Sequence, residues 1–388
     1  MPYAVSLLLV VLLLQCTAAQ ASQQPPLVSR ITKDATSSLY TISIKDDAPL
    51  LVDLAGPLVW STCPSPHATV PCQFDTCRAA NQQRPRRCRY VDAGAFWAGR
   101  EPPAWGCACA AHPFNPVTGE CSTGDLTSFA MSANTTNGTD LLYPEAFAAV
   151  GGCAPGRLLA SLPAAATGVA GFSRDPLSLR SQLAAQRGFG GRFALCLPAF
   201  AAFGGTPVYL GTESRGLVEY TGSIPYAPLL ANPRNPSGYY IPVKGISMSW
   251  HGVDVAASLP NGALDLDGRT GRGGVVLSTV TPYTIMRPEV RRGNNKRVPA
   301  VKPFQLCYNG AFPLLKRPVS YDVDGAMCVG ILEMEPGAMP VDGEPAAVIG
   351  GKTIENNLLV FDLEKGVLGF SLLDFQSTSC YSSNLSRL

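Results

Sequence analysis

Leu50-Leu51-Val52-Asp53-Leu54-Ala55-Gly56-Pro57-Leu58-Val59-Trp60 is the stretch on which the reading of this chain turns. A buried-type apolar run delivers one carboxylate into a turn, and a second apolar run leaves it. Alone, it also fits a core strand with an incidental aspartate. The second half of the chain repeats the design. Gly273-Gly274-Val275-Val276-Leu277-Ser278-Thr279-Val280-Thr281-Pro282-Tyr283 is an apolar run entering a turn rich in small hydroxyl residues. Each copy is followed by a hydrophobic-glycine segment, Ala166 to Phe172 in the first half and Ala347-Val348-Ile349-Gly350-Gly351 in the second. A unit repeated at this spacing points to two related lobes.

Short strand-like runs recur at Leu39 to Ile44, Leu50 to Val52, Pro57 to Trp60, Tyr239 to Pro242, Ile246 to Met248 and Val275 to Leu277. Helical periodicity is sparse, and clearest over Pro176 to Arg187. The 38 glycines and 34 prolines suit many strands joined by turns. The expected architecture is mostly β, with one lobe over residues 38–201, a second over 205–375, and a cleft between them. A length of 388 residues fits two ordinary domains.

The first copy closely resembles an aspartic-protease active-site strand. In pepsin-like enzymes the turn reads Asp-Thr-Gly or Asp-Ser-Gly. The hydroxyl bonds across a pair of aspartates, and the glycine lets the backbone approach the carboxylate. Here Leu54 and Ala55 follow Asp53, and the glycine comes one place late. The resemblance sets Leu277 where the second aspartate would stand. Such chemistry needs two carboxylates sharing one proton, so no catalytic residue is expected and the chain reads as a pseudo-enzyme. The flap is reduced to Cys121-Ser122-Thr123-Gly124-Asp125, without the usual tyrosine.

A narrower resemblance covers nearly all of the chain after its leader. Asp53 to Cys63, Pro113-Phe114-Asn115-Pro116-Val117-Thr118-Gly119, Ala133 to Gly138, Leu158 to Pro163, Arg192 to Pro198, and Leu277-Ser278-Thr279 with Pro282-Tyr283 and Arg287-Pro288 resemble the TAXI-type xylanase inhibitors of cereals. That family implies a bilobal pepsin-like fold without protease activity, related to endoglucanase inhibitors and basic 7S globulins. It implies a defence protein whose partner is a microbial glycoside hydrolase, a xylanase or an endoglucanase. The alternatives are an aspartic endopeptidase and a storage or peptide-binding globulin.

Two departures stand out. The second lobe is shortened, with only Arg291 to Lys302 before Pro303-Phe304-Gln305 and a further trim after Asn309-Gly310. In the family a histidine near the C-terminus enters the xylanase cleft, where an imidazole can sit between two carboxyl groups about 5 Å apart. The corresponding positions here are Asp374 or Phe375, the candidate partner contacts, and neither is a histidine.

Residues 1–21 read as a cleaved signal peptide, apolar from Val5 to Leu14 and ending in small residues. The mature chain is expected to be secreted to the apoplast or cell wall, monomeric and off the membrane. Twelve cysteines then remain: Cys63, Cys72, Cys77, Cys88, Cys107, Cys109, Cys121, Cys153, Cys196, Cys307, Cys328 and Cys380. An even number in a secreted chain predicts a fully paired disulfide framework. The resemblance implies the pairs Cys307–Cys328 and Cys196–Cys380. Cys107-Ala108-Cys109 near His112 suggests zinc, but one intervening residue is a poor zinc spacing, and no metal or cofactor is expected. Asn134, Asn137 and Asn384 head glycosylation sequons. With 15% charged residues and a formal charge of +2, nothing points to nucleic acid.

Overall fold

The computed structural model describes residues 24–45, 48–83, 89–90, 107–212, 216–250, 253–256, 259–292, 306–309, 322–323, 326–329, 331–334, 344–372 and 379–386. Strands dominate, as expected. Those of the first half that frame the site are β1 (Leu27–Lys33), β2 (Tyr40–Ile42), β3 (Leu50–Asp53), β4 (Trp60–Ser61), the long hairpin β5 (Gly124–Thr136) and β6 (Leu141–Cys153), β7 (Gly168–Gly171), β8 (Arg192–Cys196) and β9 (Phe200–Phe203). In the second half come β10 (Val275–Leu277), β11 (Thr284–Met286), β12 (Ile331–Glu333), β13 (Ala347–Ile349), β14 (Asn357–Asp362) and β15 (Val367–Leu372).

The expected helix is present as α1, Leu179–Arg187. It starts three residues later than the periodicity suggests, because the Ser178 hydroxyl caps it by accepting the Ser181 N–H at 3.2 Å. Gly188 ends it in the left-handed conformation, φ 68°, which glycine adopts without a side-chain clash.

The two halves repeat one arrangement. β3 runs parallel to β7, β4 runs antiparallel to β7, and β4 runs parallel to the end of β6. β10 runs parallel to β13, β11 antiparallel to β13, and β11 parallel to β12. The middle strands β3 and β10 are buried throughout. Their continuous apolar runs are what strands covered on both faces require.

The halves are not separate beads. β14 pairs antiparallel with β8, from Arg192↔Asp362 to Cys196↔Leu358, so the last strands of the chain extend a sheet begun by β1, β2 and β3. Beneath the join lies one apolar core containing Val52, Leu54, Phe172, Phe193, Tyr239, Leu277 and Phe361. Phe193 stacks on Phe361 with centroids 4.3 Å apart, and Tyr239 lies 4.7 Å from Phe361. Burying such rings from both halves favours their association by a few kcal/mol, on the order of 1.5–3 kcal/mol per large side chain.

Four disulfides lie among the described residues: Cys63–Cys153, Cys72–Cys107, Cys77–Cys109 and Cys196–Cys380. The last is the pair the resemblance implied, and it bolts the C-terminal turn to β8. Cys121 is also disulfide-bonded. Cys107 and Cys109 are each spent in a different bridge, so neither sulfur is available to zinc. The backbone register sets Cys307 opposite Cys328, the arrangement expected for that pair. Cys88 lies outside the described residues, as do 293–305 and 310–321, where the second lobe was read as shortened.

Converting Cys196 and Cys380 together to serine should cost on the order of 3–4 kcal/mol, since their sequence separation is 184 residues and long closed loops gain most from a cross-link. Denaturant unfolding of the double variant measures this. Thiol titration of the unfolded, unreduced protein should find no free cysteine in the mature chain.

Candidate functional site

The turns after β3 and β10 meet at the centre of the molecule. Asp53 is 6% exposed, at the end of a wholly apolar strand. Its Oδ1 accepts the Ala55 N–H at 3.0 Å, and its backbone carbonyl accepts the Gly56 N–H at 3.1 Å. Burial pushes its carboxyl up to about 6, only partly offset by the N–H groups of Ala55 and Gly56. The glycine that looks one place late still serves the acid. A β-carbon on Gly56 would stand 3.0 Å from Asp53 Oδ2 and 2.8 Å from the Gly171 Cα.

The second half corrects the sequence expectation about Leu277. Asp53 is the register partner of Gly171. Gly171 has no room for a side chain because the carbonyls of Gly56 and Leu58, three and five residues past Asp53, press against it. In the other half the glycine so confined is Gly350, and the carbonyls against it are those of Thr281 and Tyr283. Counting back by the same steps leads to Ser278. The flanking strands agree: Trp60 pairs with Val169, and the equivalent pair is Ile285 with Val348. Ser278, not Leu277, therefore sits where the repeat places the mate of Asp53. Leu277 is the counterpart of Val52, and both belong to the apolar core. A one-residue slip on a strand exchanges its two faces, so Leu277 enters the apolar core while the Ser278 hydroxyl meets that of Thr281.

Ser278 is itself buried, and its hydroxyl bonds the Thr281 hydroxyl at 3.0 Å. Thr279 makes the link that sequence reading missed. Its Oγ1 donates to the Val52 carbonyl at 2.6 Å and accepts the Leu54 N–H at 3.1 Å, spanning more than two hundred residues of sequence. The hydroxyl tie across the two turns, judged absent after Asp53, is supplied from the opposite side. Leu54 fills its own place with apolar volume, fully buried in the central core.

The remaining candidates divide. Asp374 and Phe375 lie outside the described residues. Asn137 is exposed at the tip of the β5–β6 hairpin, and Asn134 is half-buried within β5. Asn384 is buried. It is 6% exposed, and its amide nitrogen donates to the Gly138 carbonyl at 2.7 Å. The atoms of Cys63, His67 and Cys153 that could ligate a metal lie within 4.8 Å of one another, but both sulfurs are joined in a disulfide.

Comparison with known proteins agrees with this architecture. Residues 39–211 match the family described as "Xylanase inhibitor N-terminal", and residues 238–323 and 315–372 match "Xylanase inhibitor C-terminal". The chain is 38% identical over 404 residues to Chitinase CLP of Oryza sativa subsp. japonica, covering 92% of this chain and 91% of that protein. It is 29% identical over 431 residues to Probable aspartic proteinase GIP2 of Nicotiana benthamiana, covering 93% and 92%. The solved structure of edgp superposes with a TM-score of 0.75 at 24% identity, over 93% of this chain and 98% of that one. Conglutin gamma from lupine seeds, described as a basic 7S globulin, gives 0.69 at 23% identity, over 94% and 100%. These likenesses carry the mostly-β, pepsin-like bilobal fold.

Thr279→Val should leave the Val52 carbonyl and the Leu54 N–H buried without a partner, lowering stability by about 2–5 kcal/mol. Thr279→Ser should retain most of it, and chemical denaturation of the pair separates lost hydrogen bonding from lost volume. Asp53 supplies a pH signature. Its folded carboxyl holds the proton more tightly than the ordinary value of 3.8, so its contribution to stability falls as pH rises from about 4 to about 6 and is flat beyond. Asp53→Asn should thus gain on the wild type by on the order of 2–3 kcal/mol above pH ~6.5 and by little below pH ~4. Thermal unfolding across that range is the measurement.

Proposed function

We infer from the family of xylanase inhibitors, to which this chain belongs by matches over both of its halves, that it is a secreted plant binding protein which blocks a microbial cell-wall-degrading glycoside hydrolase. The observation that carries the non-catalytic part of this reading is Ser278 in the seat across from Asp53. A serine hydroxyl does not ionise in the range where two carboxylates would share a proton. Thr279 meanwhile holds the two turns together without needing an acid pair. Fold and site are kept, and the proton chemistry is gone.

Secretion to the apoplast or cell wall is supported by the apolar leader sequence and by the disulfides, which persist in oxidising compartments. The partner class, a xylanase or endoglucanase, is supported by the family. The tail carries Asp374 and Phe375 rather than a histidine. Binding to family-11 xylanases should accordingly be weak, because neither side chain offers a cationic donor between two carboxyls.

Two relatives bear enzyme names, and one observation favours a hydrolytic rival. Asp53, raised to about 6, lies in the range that suits a general acid for a glycosidic oxygen. One set of assays on the homogeneous secreted protein separates the readings. The expected result is no pepstatin-sensitive digestion of denatured haemoglobin at acid pH and no hydrolysis of chitin oligosaccharides. Immobilised protein should capture a xylanase or glucanase from fungal culture filtrate and inhibit it. Turnover of either substrate that is lost in Asp53→Asn would overturn the pseudo-enzyme reading. Accumulation as an abundant seed protein without any glycosidase inhibition would favour the globulin alternative.

A further inference from the structure

Three sequons stand in the sequence, and the fold treats them very differently. Asn384 has its amide nitrogen committed to the Gly138 carbonyl and its carbonyl oxygen to the Tyr209 N–H at 3.0 Å. A sugar on that nitrogen would displace a buried hydrogen bond and push the C-terminal turn off the hairpin. Asn134 lies inside β5, with Val28 of β1 beside it on one side and Pro144 of β6 on the other. Asn137 alone of the three is exposed at a turn. Its Oδ1 accepts the N–H groups of Thr139 and Asp140 at 2.9 and 2.8 Å. That fixes the side chain and leaves the nitrogen, the atom that would carry sugar, with no acceptor among the described residues. The sequon hydroxyl residue, Thr139, is exposed as well.

The same end of the hairpin displays apolar surface. Thr136 pairs with Leu141, and the register then shifts before Pro144 pairs with Asn134. A bulge of this kind re-aims side chains. Here it leaves two consecutive large ones in solvent, Leu142 at 49% and Tyr143 at 59% exposed. Adjacent large apolar residues in water are a liability unless something covers them.

We propose that Asn137 carries an N-linked glycan and that the glycan's inner sugars cover Leu142 and Tyr143. This rests on the secretion reading, because the modification belongs to the secretory pathway. The donor is a lipid-pyrophosphate-linked oligosaccharide. The Asn137 Nδ2 forms a bond to its anomeric carbon, the bond from that carbon to the pyrophosphate oxygen breaks, the amide gives up one proton, and the lipid pyrophosphate leaves. Asn384 has the opposite role. Its amide holds Gly138, and with it the turn that presents Asn137.

The test uses the full mature chain behind a leader of proven secretion in a eukaryotic host, with the unmodified chain expressed in parallel. Glycopeptide mapping should find Asn137 occupied and Asn134 and Asn384 bare. Thr139→Ala, which keeps the Asn137 turn, should remove the glycan, and Asn134→Gln should leave it. Secreted, folded protein with a bare Asn137, or with sugar on Asn384, would overturn the assignment. Retention of the unmodified chain in the cell, with Asn137 occupied behind the foreign leader, would count against secretion while supporting the sequon assignment. For the covering role, Thr139→Ala should bind an apolar dye severalfold more than the glycosylated protein. Adding Leu142→Ser and Tyr143→Ser should return binding to the starting level. Equal dye binding with and without the glycan would refute the cover.

Discussion

One buried hydroxyl joins the halves of this protein. Thr279 gives its proton to the Val52 carbonyl and takes the Leu54 N–H, satisfying two main-chain groups of the opposite turn. Val52, Leu54 and Thr279 are fully buried, so leaving those groups unmet would cost more than an exposed hydrogen bond is worth. The tie fixes the approach of β3 to β10. It also positions the aromatic layer beneath, where Phe193, Phe361 and Tyr239 pack and the Tyr239 hydroxyl donates to the Phe172 carbonyl at 2.7 Å.

Around this tie the two turns keep close backbone contact. Glycines still allow backbone to press close at Gly56, Gly171 and Gly350, each for want of space for a β-carbon. Asp53 projects from the end of a buried strand, and burial, partly offset by the N–H groups of Ala55 and Gly56, raises its titration. A lone buried acid is a burden on stability near neutral pH.

The C-terminal end of the chain is built into the first half. β14 and β15 extend its sheet, Cys380 is bonded to Cys196, and Asn384 clasps both the hairpin turn at Gly138 and the strand that begins at Tyr209.

The sequence by itself determined the class of fold and the existence of the repeat. Apolar runs such as Leu50 to Val52 and Val275 to Leu277 can be stable only when covered on both faces, and paired glycine segments announce the close approach of backbone. It also led to the expectation that the acid of the first turn lacks an acidic mate, with Leu277 named as the opposite seat. Tertiary structure alone decided that the seat is Ser278, because a strand's register is set by its neighbours and a shift of one residue reverses its faces. Only the fold could reveal that Thr279 reaches Val52, or that one sequon is spent inside the molecule while another stands free. Such contacts join residues far apart in sequence, and no local pattern of residue types encodes which distant carbonyl a hydroxyl will meet.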